Sequence, residues 1–180
     1  MADWGKVARR IRVPLGFAFA VLYVWLAKPT VNFLLVGLAL TIPGILLRAL
    51  ASGHVRKNEA LTTSGPYAYT RNPLYLGSLI IAIGFAVAAR SWWIALAMVI
   101  FFFAIYLPVI RGEEAYLRSR FPEFEKYVTE VPRLLPRLNS GDNEKGSFSW
   151  ELYKKHREYN ALLGALAIMA VLVIKMLWAR

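Results

Sequence analysis

Five apolar runs divide this chain, at 13–27, 31–50, 74–89, 92–110 and 161–178, and the charges gather between them. Hydrophobic residues make up 58% of the 180 and charged residues only 18%. A spanning helix takes roughly 20 apolar residues, so the runs at 13–27 and 74–89 are short and must borrow their flanks. Backbone polar groups inside hydrocarbon have to be satisfied within the segment, which leaves helices as the economical choice for such runs. The expected fold class is therefore all-α: a polytopic membrane protein with about five transmembrane helices and a cofactor pocket on its cytoplasmic side. One domain is expected over 1–180, with a helical hairpin at 13–50, a motif region carrying two spans at 51–136, and a last span at 161–178.

Lys6, Arg9, Arg10 and Arg12 before the first run resemble the start of a signal peptide. Only Lys28-Pro29-Thr30 separates that run from the next, so the pair reads as a membrane hairpin. Pro43-Gly44 is expected to kink its second helix. The chain has no Cys, and His54 and His156 are too far apart in sequence for metal-ligand spacing, so no metal site is expected. The net charge of +11 on so apolar a chain points to loops facing anionic lipid, with no nucleic-acid partner. With the N-terminus inside, all of the 22 lysines and arginines except Lys28, Arg90, Lys175 and Arg180 are cytoplasmic. The positive-inside rule then gives a multi-pass protein with its C-terminus on the opposite side.

The stretch Thr63-Ser-Gly-Pro-Tyr-Ala-Tyr-Thr-Arg-Asn-Pro-Leu-Tyr-Leu-Gly77 runs from turn residues straight into an apolar helix. Gly65-Pro66 and Asn72-Pro73 are turn dipeptides, and each proline biases its predecessor away from the α region. Irregular backbone at a membrane is tolerated where it lies in protein or lines a watery cavity, so this stretch reads as a pocket wall. Pro73 suits the first position of the third helix. Trp92 and Trp93 are placed as interfacial anchors. Gly112–Phe121 should continue helix four out of the membrane, Pro122 should restart a helix through Val128, and Val131–Pro136 should be extended. Leu138–Ser147 reads as a mobile loop, and Ser149 as the cap of a helix beginning at Trp150. Ser78, Ala82 and Ala86, spaced by four, are expected to permit close helix packing and to carry no chemistry.

The residues Gly65-Pro-Tyr-Ala-Tyr-Thr-Arg-Asn-Pro-Leu-Tyr-Leu-Gly77, Glu113-Glu114, Leu117, Phe121, Tyr127 and Val131-Pro-Arg-Leu-Leu-Pro136 together resemble the isoprenylcysteine carboxyl methyltransferase family. The related phospholipid methyltransferases are similar in outline. The resemblance covers about residues 50–136. It implies an integral membrane methyltransferase that uses S-adenosylmethionine and takes a lipophilic acceptor, with a carboxylate as the family's best-known nucleophile, laterally from the bilayer. Carried over by position, the cofactor would meet Glu59, Ala60, Leu61, Thr62, Tyr67, Arg71, Asn72, Pro73, Leu74, Tyr75 and Glu113. Arg111 and Glu114 are the catalytic candidates. Asn72 stands where the family usually has His, and an amide hydrogen-bonds without carrying charge. The family's acceptor-binding Arg lies about one helical turn before the Glu pair, where this chain has Val109 and Ile110; Arg111 is the nearest arginine.

The chemistry fits those residue types. A sulfonium is stabilised against aromatic faces such as Tyr67, Tyr69 or Tyr75. A Glu accepts hydrogen bonds from an ammonium or a ribose, and Arg71 has the fork for a carboxylate. A carboxylate nucleophile needs no base; an amine or hydroxyl would need one, for which a Glu is the candidate. Taken singly, these residues read as plain turns, an interfacial tyrosine belt, a solvated acidic face and a snorkelling arginine. Their order and spacing across two loops on one face is what favours a site. A membrane reductase using NADPH and a non-catalytic lipid-binding membrane protein are the competing readings; no G-x-G-x-x-G turn supports the first.

Overall fold

The computed structural model describes residues 4–56, 59–139 and 146–178, and every regular element among them is helical. In chain order these are α1 (Trp4–Leu26), α2 (Val31–Ser52), a 3-10 turn (Gly65–Ala68), α3 (Pro73–Ala89) and α4 (Trp92–Phe101). A π turn (Phe102–Tyr106) then leads into α5 (Leu107–Arg120), followed by α6 (Phe124–Glu130), α7 (Trp150–Lys155) and α8 (Tyr159–Trp178). α4, the π turn and α5 form one continuous helix of 29 residues, as the sequence suggested. This helix, α2 and α8 are each long and apolar enough to cross a membrane, whereas Val13–Leu26 of α1 and Pro73–Ala89 are shorter apolar helices. Phe17, Val21 and Trp25 of α1, and Trp92 and Trp93 of α4, are among the large apolar side chains left exposed.

Helix ends follow the local sequence. Pro73 opens α3, where a missing amide hydrogen costs nothing. Arg90 closes it in the left-handed region (φ 48°), its amide donating to the Val87 carbonyl at 3.0 Å. Ser149 caps α7, its hydroxyl accepting from the Leu152 amide at 3.3 Å. The segment after α6 is irregular and extended, as two prolines require. Of the loop expected at Leu138–Ser147, residues 140–145 lie outside the described residues.

α2 and α3 make the closest helix pair, and glycine is the reason. A Cβ on Gly37 would sit 2.6 Å from the Gly84 carbonyl oxygen, and one on Gly44 would sit 2.7 Å from that of Gly77. Backbones approach this closely only where side chains are absent. Pro43-Gly44, expected to kink α2, leaves it one continuous helix with Gly44 packed on α3. The packing role given to Ser78, Ala82 and Ala86 is corrected: glycines make the close crossing, and those three residues line a cavity on another side of α3. Glycine sheds the last methyl that alanine keeps, so it takes the tighter face.

Around this pair, Tyr23, Leu34, Phe85, Ile94, Ala165 and Leu172 form the main apolar cluster, joining α1, α2, α3, α4 and α8. The Tyr23 hydroxyl donates to the Phe85 carbonyl at 2.8 Å. At the opposite end of α3, Phe124, Tyr127 and Val131 form a second cluster with Leu61 against it.

Candidate functional site

The motif loop is fastened to the segment after α6 almost wholly through backbone groups. Gly65 takes a left-handed φ of 58° that a side chain would strain. The Arg71 amide donates to the Pro132 carbonyl at 2.9 Å, and the Arg137 amide to that of Tyr69 at 3.0 Å. The Tyr127 hydroxyl donates to the Tyr67 carbonyl at 2.7 Å, and the Arg137 Nε to that of Ala68 at 2.8 Å. Thr70 Oγ1 lies 3.2 and 3.1 Å from the carbonyl oxygens of Arg133 and Leu134. The two blocks of sequence form one structure.

Glu114 is the charged centre of that structure. It is buried, and both carboxylate oxygens are used. Oε1 accepts from Arg71 Nε at 3.2 Å and Asn72 Nδ2 at 3.0 Å; Oε2 accepts from Arg133 Nε at 2.9 Å and Nη2 at 2.8 Å. Arg71 Nη1 donates to the Val128 and Val131 carbonyls, both at 2.9 Å. Asn72 Nδ2 also donates to the Arg133 carbonyl at 3.0 Å. A buried carboxylate is costly to desolvate, and here two guanidiniums and an amide compensate it. Asn72 therefore binds Glu114 as a hydrogen-bond donor, a role that needs no titratable ring.

Glu113, one residue earlier and roughly 100° around the helix, faces elsewhere. It accepts from the Tyr75 hydroxyl at 2.9 Å. The Tyr75 ring meets Tyr106 edge-on at 5.8 Å between centroids, and Tyr106 ends the π turn. π turns inside helices recur at functional sites because they re-aim side chains. Tyr75 and Tyr106 both line a cavity of about 1270 Å³ enclosed by α1, α3, α4 and α8. Its walls are apolar for most of their length, with Arg48, Tyr75, Ser78, Tyr106 and Asn160 at one end and Arg90, Ser91 and Trp92 at the other.

Arg48 of α2 supplies a cation to that wall. Its Nε donates to the buried Glu158 at the start of α8, and its Nη1 to Ser78 Oγ and, at 3.2 Å, to the Leu74 carbonyl. Nη2 has no hydrogen-bond partner among the described residues. The charged residues on the cavity lining, Arg48 and Arg90, are both cationic. Arg157 adopts φ 52°, and the turn it makes brings Glu158 onto Arg48. His156 Nδ1 is hydrogen-bonded to the Ser52 carbonyl at 3.0 Å, which ties the same junction to the end of α2. Burial pushes the Tyr67 phenol pKa up; the charges of Glu113 and Glu158 push it further and Arg48 opposes them. Tyr67 thus lies within electrostatic reach of all three.

The residues expected from sequence fall into three groups. Tyr67, Asn72, Pro73, Leu74, Tyr75, Arg71, Glu113 and Glu114 come together around the start of α3. Glu59, Ala60, Leu61 and Thr62 are outside the cavity lining: Glu59 pairs with Lys155 at 3.2 Å on the surface, Ala60 is exposed, Leu61 packs near Phe124, and Thr62 Oγ1 accepts from the Arg56 amide at 3.2 Å. Arg111 is exposed and also absent from the lining. Arg48, Glu158 and Arg133 carried no role in the sequence reading. An arginine within an apolar run is itself a functional signal, because such a charge is expensive in a membrane.

The sequence pattern of phospholipid methyltransferases matches residues 15–123. The chain belongs to that family. It is 34% identical over 130 residues to the cobalt-zinc-cadmium resistance protein CzcN of Cupriavidus metallidurans, covering 72% of this chain and 58% of the relative. It is 33% identical over 116 residues to the nickel-cobalt-cadmium resistance protein NccN of Alcaligenes xylosoxydans xylosoxydans, covering 64% and 54%. It is also 28% identical over 143 residues to the protein-S-isoprenylcysteine O-methyltransferase of Schizosaccharomyces pombe, covering 74% and 59%. The chain thus spans less than two thirds of the length of each of these relatives. No solved structure matches it significantly. Membership in a membrane methyltransferase family favours the methyltransferase reading over a reductase or a passive lipid binder.

Proposed function

We propose that this protein is a five-span integral membrane methyltransferase that uses S-adenosylmethionine and methylates a lipophilic acceptor, a carboxylate foremost. The N-terminus and the cofactor pocket face the cytoplasm, and the C-terminus lies on the other side. The observation that carries this reading is the junction of Tyr75–Glu113 with the Arg48 end of the apolar cavity.

The donor set suits the cofactor. Tyr67, Tyr75 and Tyr106 offer aromatic surface to a sulfonium, and the Glu113 carboxylate has acceptor capacity beyond the Tyr75 hydroxyl. Asn72, Pro73 and Leu74 place backbone beside them. The bound cofactor supplies an electrophilic methyl, taken by a nucleophile's lone pair as the carbon–sulfur bond breaks with its electrons on sulfur. The chain's own residues do the positioning, which is most of the catalysis in an in-line displacement. Arg48, fixed at Nε and Nη1, presents Nη2 to the acceptor head, a charge-assisted donor suited to a carboxylate. The apolar walls exclude water from that head. Arg71 and Glu114, spent on one another, hold the loop and touch neither reactant in this arrangement. Arg111, exposed, has no part in it.

Transfer of a labelled methyl group is the test. Protein in liposomes receives methyl-labelled S-adenosylmethionine with farnesylcysteine, hexadecanoate or phosphatidylethanolamine. Label in a base-labile ester supports the carboxylate reading. Label on the phosphatidylethanolamine amine overturns that part and keeps the methyltransferase. No transfer to any of the three, by protein that also fails to bind the cofactor, overturns the whole.

A further inference from the structure

The cavity runs along nearly the whole of α3, and its wall there is a ladder of small side chains. Ser78, Ala82 and Ala86 all line it, and Arg90 closes its far end with its guanidinium 5.6 Å from the Phe33 ring centroid. At a rise of 1.5 Å per residue, Ala82 lies about 6 Å, Ala86 about 12 Å and Arg90 about 18 Å beyond Ser78. Ser78 is the rung that holds Arg48. These alanines are not needed for the α2–α3 crossing, which the glycines make.

The facing walls are also held open. Gly16 of α1 and Gly164 of α8 line the same cavity, and a Cβ added to either would meet nothing within 4 Å. A helix-interior glycine costs about 1 kcal/mol relative to alanine, and neither glycine is required by packing. Lys175 Nζ donates to the Val24 and Trp25 carbonyls at 2.6 and 2.8 Å, which sets α1 and α8 side by side. Counting back along each helix from that contact puts Gly16 and Gly164 within about 5 Å of each other in depth. Gly164 and the rest of α8 lie beyond the matched family segment, which ends at residue 123.

We infer that the cavity is a chain-length ruler: it takes the single apolar tail of an anionic acceptor whose head sits at Arg48, and measures that tail along Ser78, Ala82 and Ala86. This rests on the acceptor site proposed above. The head is anionic because both charged groups on the lining are cationic. The tail is long because the chamber, at about 1270 Å³, exceeds an ordinary small-ligand pocket of roughly 300–1,000 Å³. A bulky side chain on a rung should shorten the tail that fits, by an amount set by the rung's distance from Ser78.

The test uses the whole protein in detergent, with displacement of cis-parinarate followed by energy transfer from tryptophan. Octanoate and hexadecanoate are the competitors. An eight-carbon zigzag with bonds of about 1.5 Å extends roughly 9 Å, past Ala82 and short of Ala86. Ala86→Phe should weaken hexadecanoate about tenfold and leave octanoate within about twofold of wild type. Ala82→Phe should weaken both. If a Phe variant fails to fold, Ala86→Leu and Ala82→Leu should give the same order with smaller effects. Equal effects on both acids at both rungs, no effect at either, or no displacement from wild type would overturn the inference. Hexadecyl phosphate and hexadecylamine separate the head chemistries: competition by the amine as strong as by the carboxylate overturns the anionic head, whereas the phosphate competing equally keeps the ruler and widens the head to any anion. Calorimetry with S-adenosylhomocysteine on the same samples reads the cofactor site separately, so its failure there leaves the ruler result standing.

Discussion

Arg48 and Glu158 pair across 110 residues of sequence, the one from α2 and the other from the first turn of α8. Their contact places a fixed guanidinium at the end of an otherwise apolar chamber. An arginine held at two of its three nitrogens has one left to recognise something else. That geometry carries the assignment of an acceptor head to Arg48.

Arg48→Lys should therefore lower kcat/KM for a carboxylate acceptor by about 10²-fold, because an ammonium cannot make all of these contacts at once. Binding of S-adenosylhomocysteine should stay within about twofold. Steady-state methylation beside calorimetry reads both. Equal loss of the two would mean that Arg48 supports the fold and not the acceptor.

Removing the partner acid is a different perturbation. Glu158→Gln leaves a largely buried guanidinium without its counter-charge, at a cost of about 3–5 kcal/mol in stability. The apparent Tm in detergent should fall accordingly, and Arg48→Met combined with Glu158→Leu should restore much of the loss without restoring methylation. A double variant as unstable as Glu158→Gln would refute the pairing argument.

Glu114 predicts a structural phenotype. Glu114→Gln removes the charge that two arginines share, and the motif loop should loosen from the segment after α6. A loss of about 3–5 kcal/mol is expected. Hydrogen exchange at the amides of Arg71 and Arg137 should rise, since both amides bridge those segments. Unchanged protection with lost activity would assign Glu114 a direct chemical part.

Alkaline pH should destabilise the same region. Burial pushes the phenols of Tyr67 and Tyr127 above their ordinary value of 10.0. Above about pH 10 the unfolded chain releases these protons while the native state keeps them, so native stability falls with rising pH, by at most about 1.4 kcal/mol per unit per group. Below pH 10 neither phenol contributes to the slope. Thermal unfolding between about pH 9 and 11 checks the sign, and Tyr127→Phe should flatten the alkaline limb.

Much of this fold is legible in the residue pattern because the bilayer enforces it. Five apolar runs, the Lys28-Pro29-Thr30 turn, Pro73 at a helix start and the helical continuation past Ile110 follow from local rules. The tie between the motif loop and the Glu pair was legible as well, though as a resemblance and not as a derivation. Sequence gave no means of telling which face of α3 packs on α2, since Ser78-Ala82-Ala86 and Gly77-Gly84 are both small-residue sets. Only the three-dimensional crossing shows that the glycines take it. Arg48–Glu158 was hidden for a similar reason: an arginine in an apolar run announces a partner without naming it, and Glu158 depends on the left-handed turn at Arg157. The exposed positions of Arg111 and Glu59 reflect rotation about a helix and a loop excursion, neither of which spacing alone fixes.

The central claim is a cofactor pocket beside Tyr75 and Glu113. Calorimetric titration of S-adenosylmethionine and S-adenosylhomocysteine into purified protein tests it most directly, with a matched Tyr75→Ala, Glu113→Gln protein alongside. The account predicts saturable binding of both by wild type, weakened at least about tenfold in the double variant. Folded wild type that binds neither, or a variant that binds as well as wild type, would contradict it.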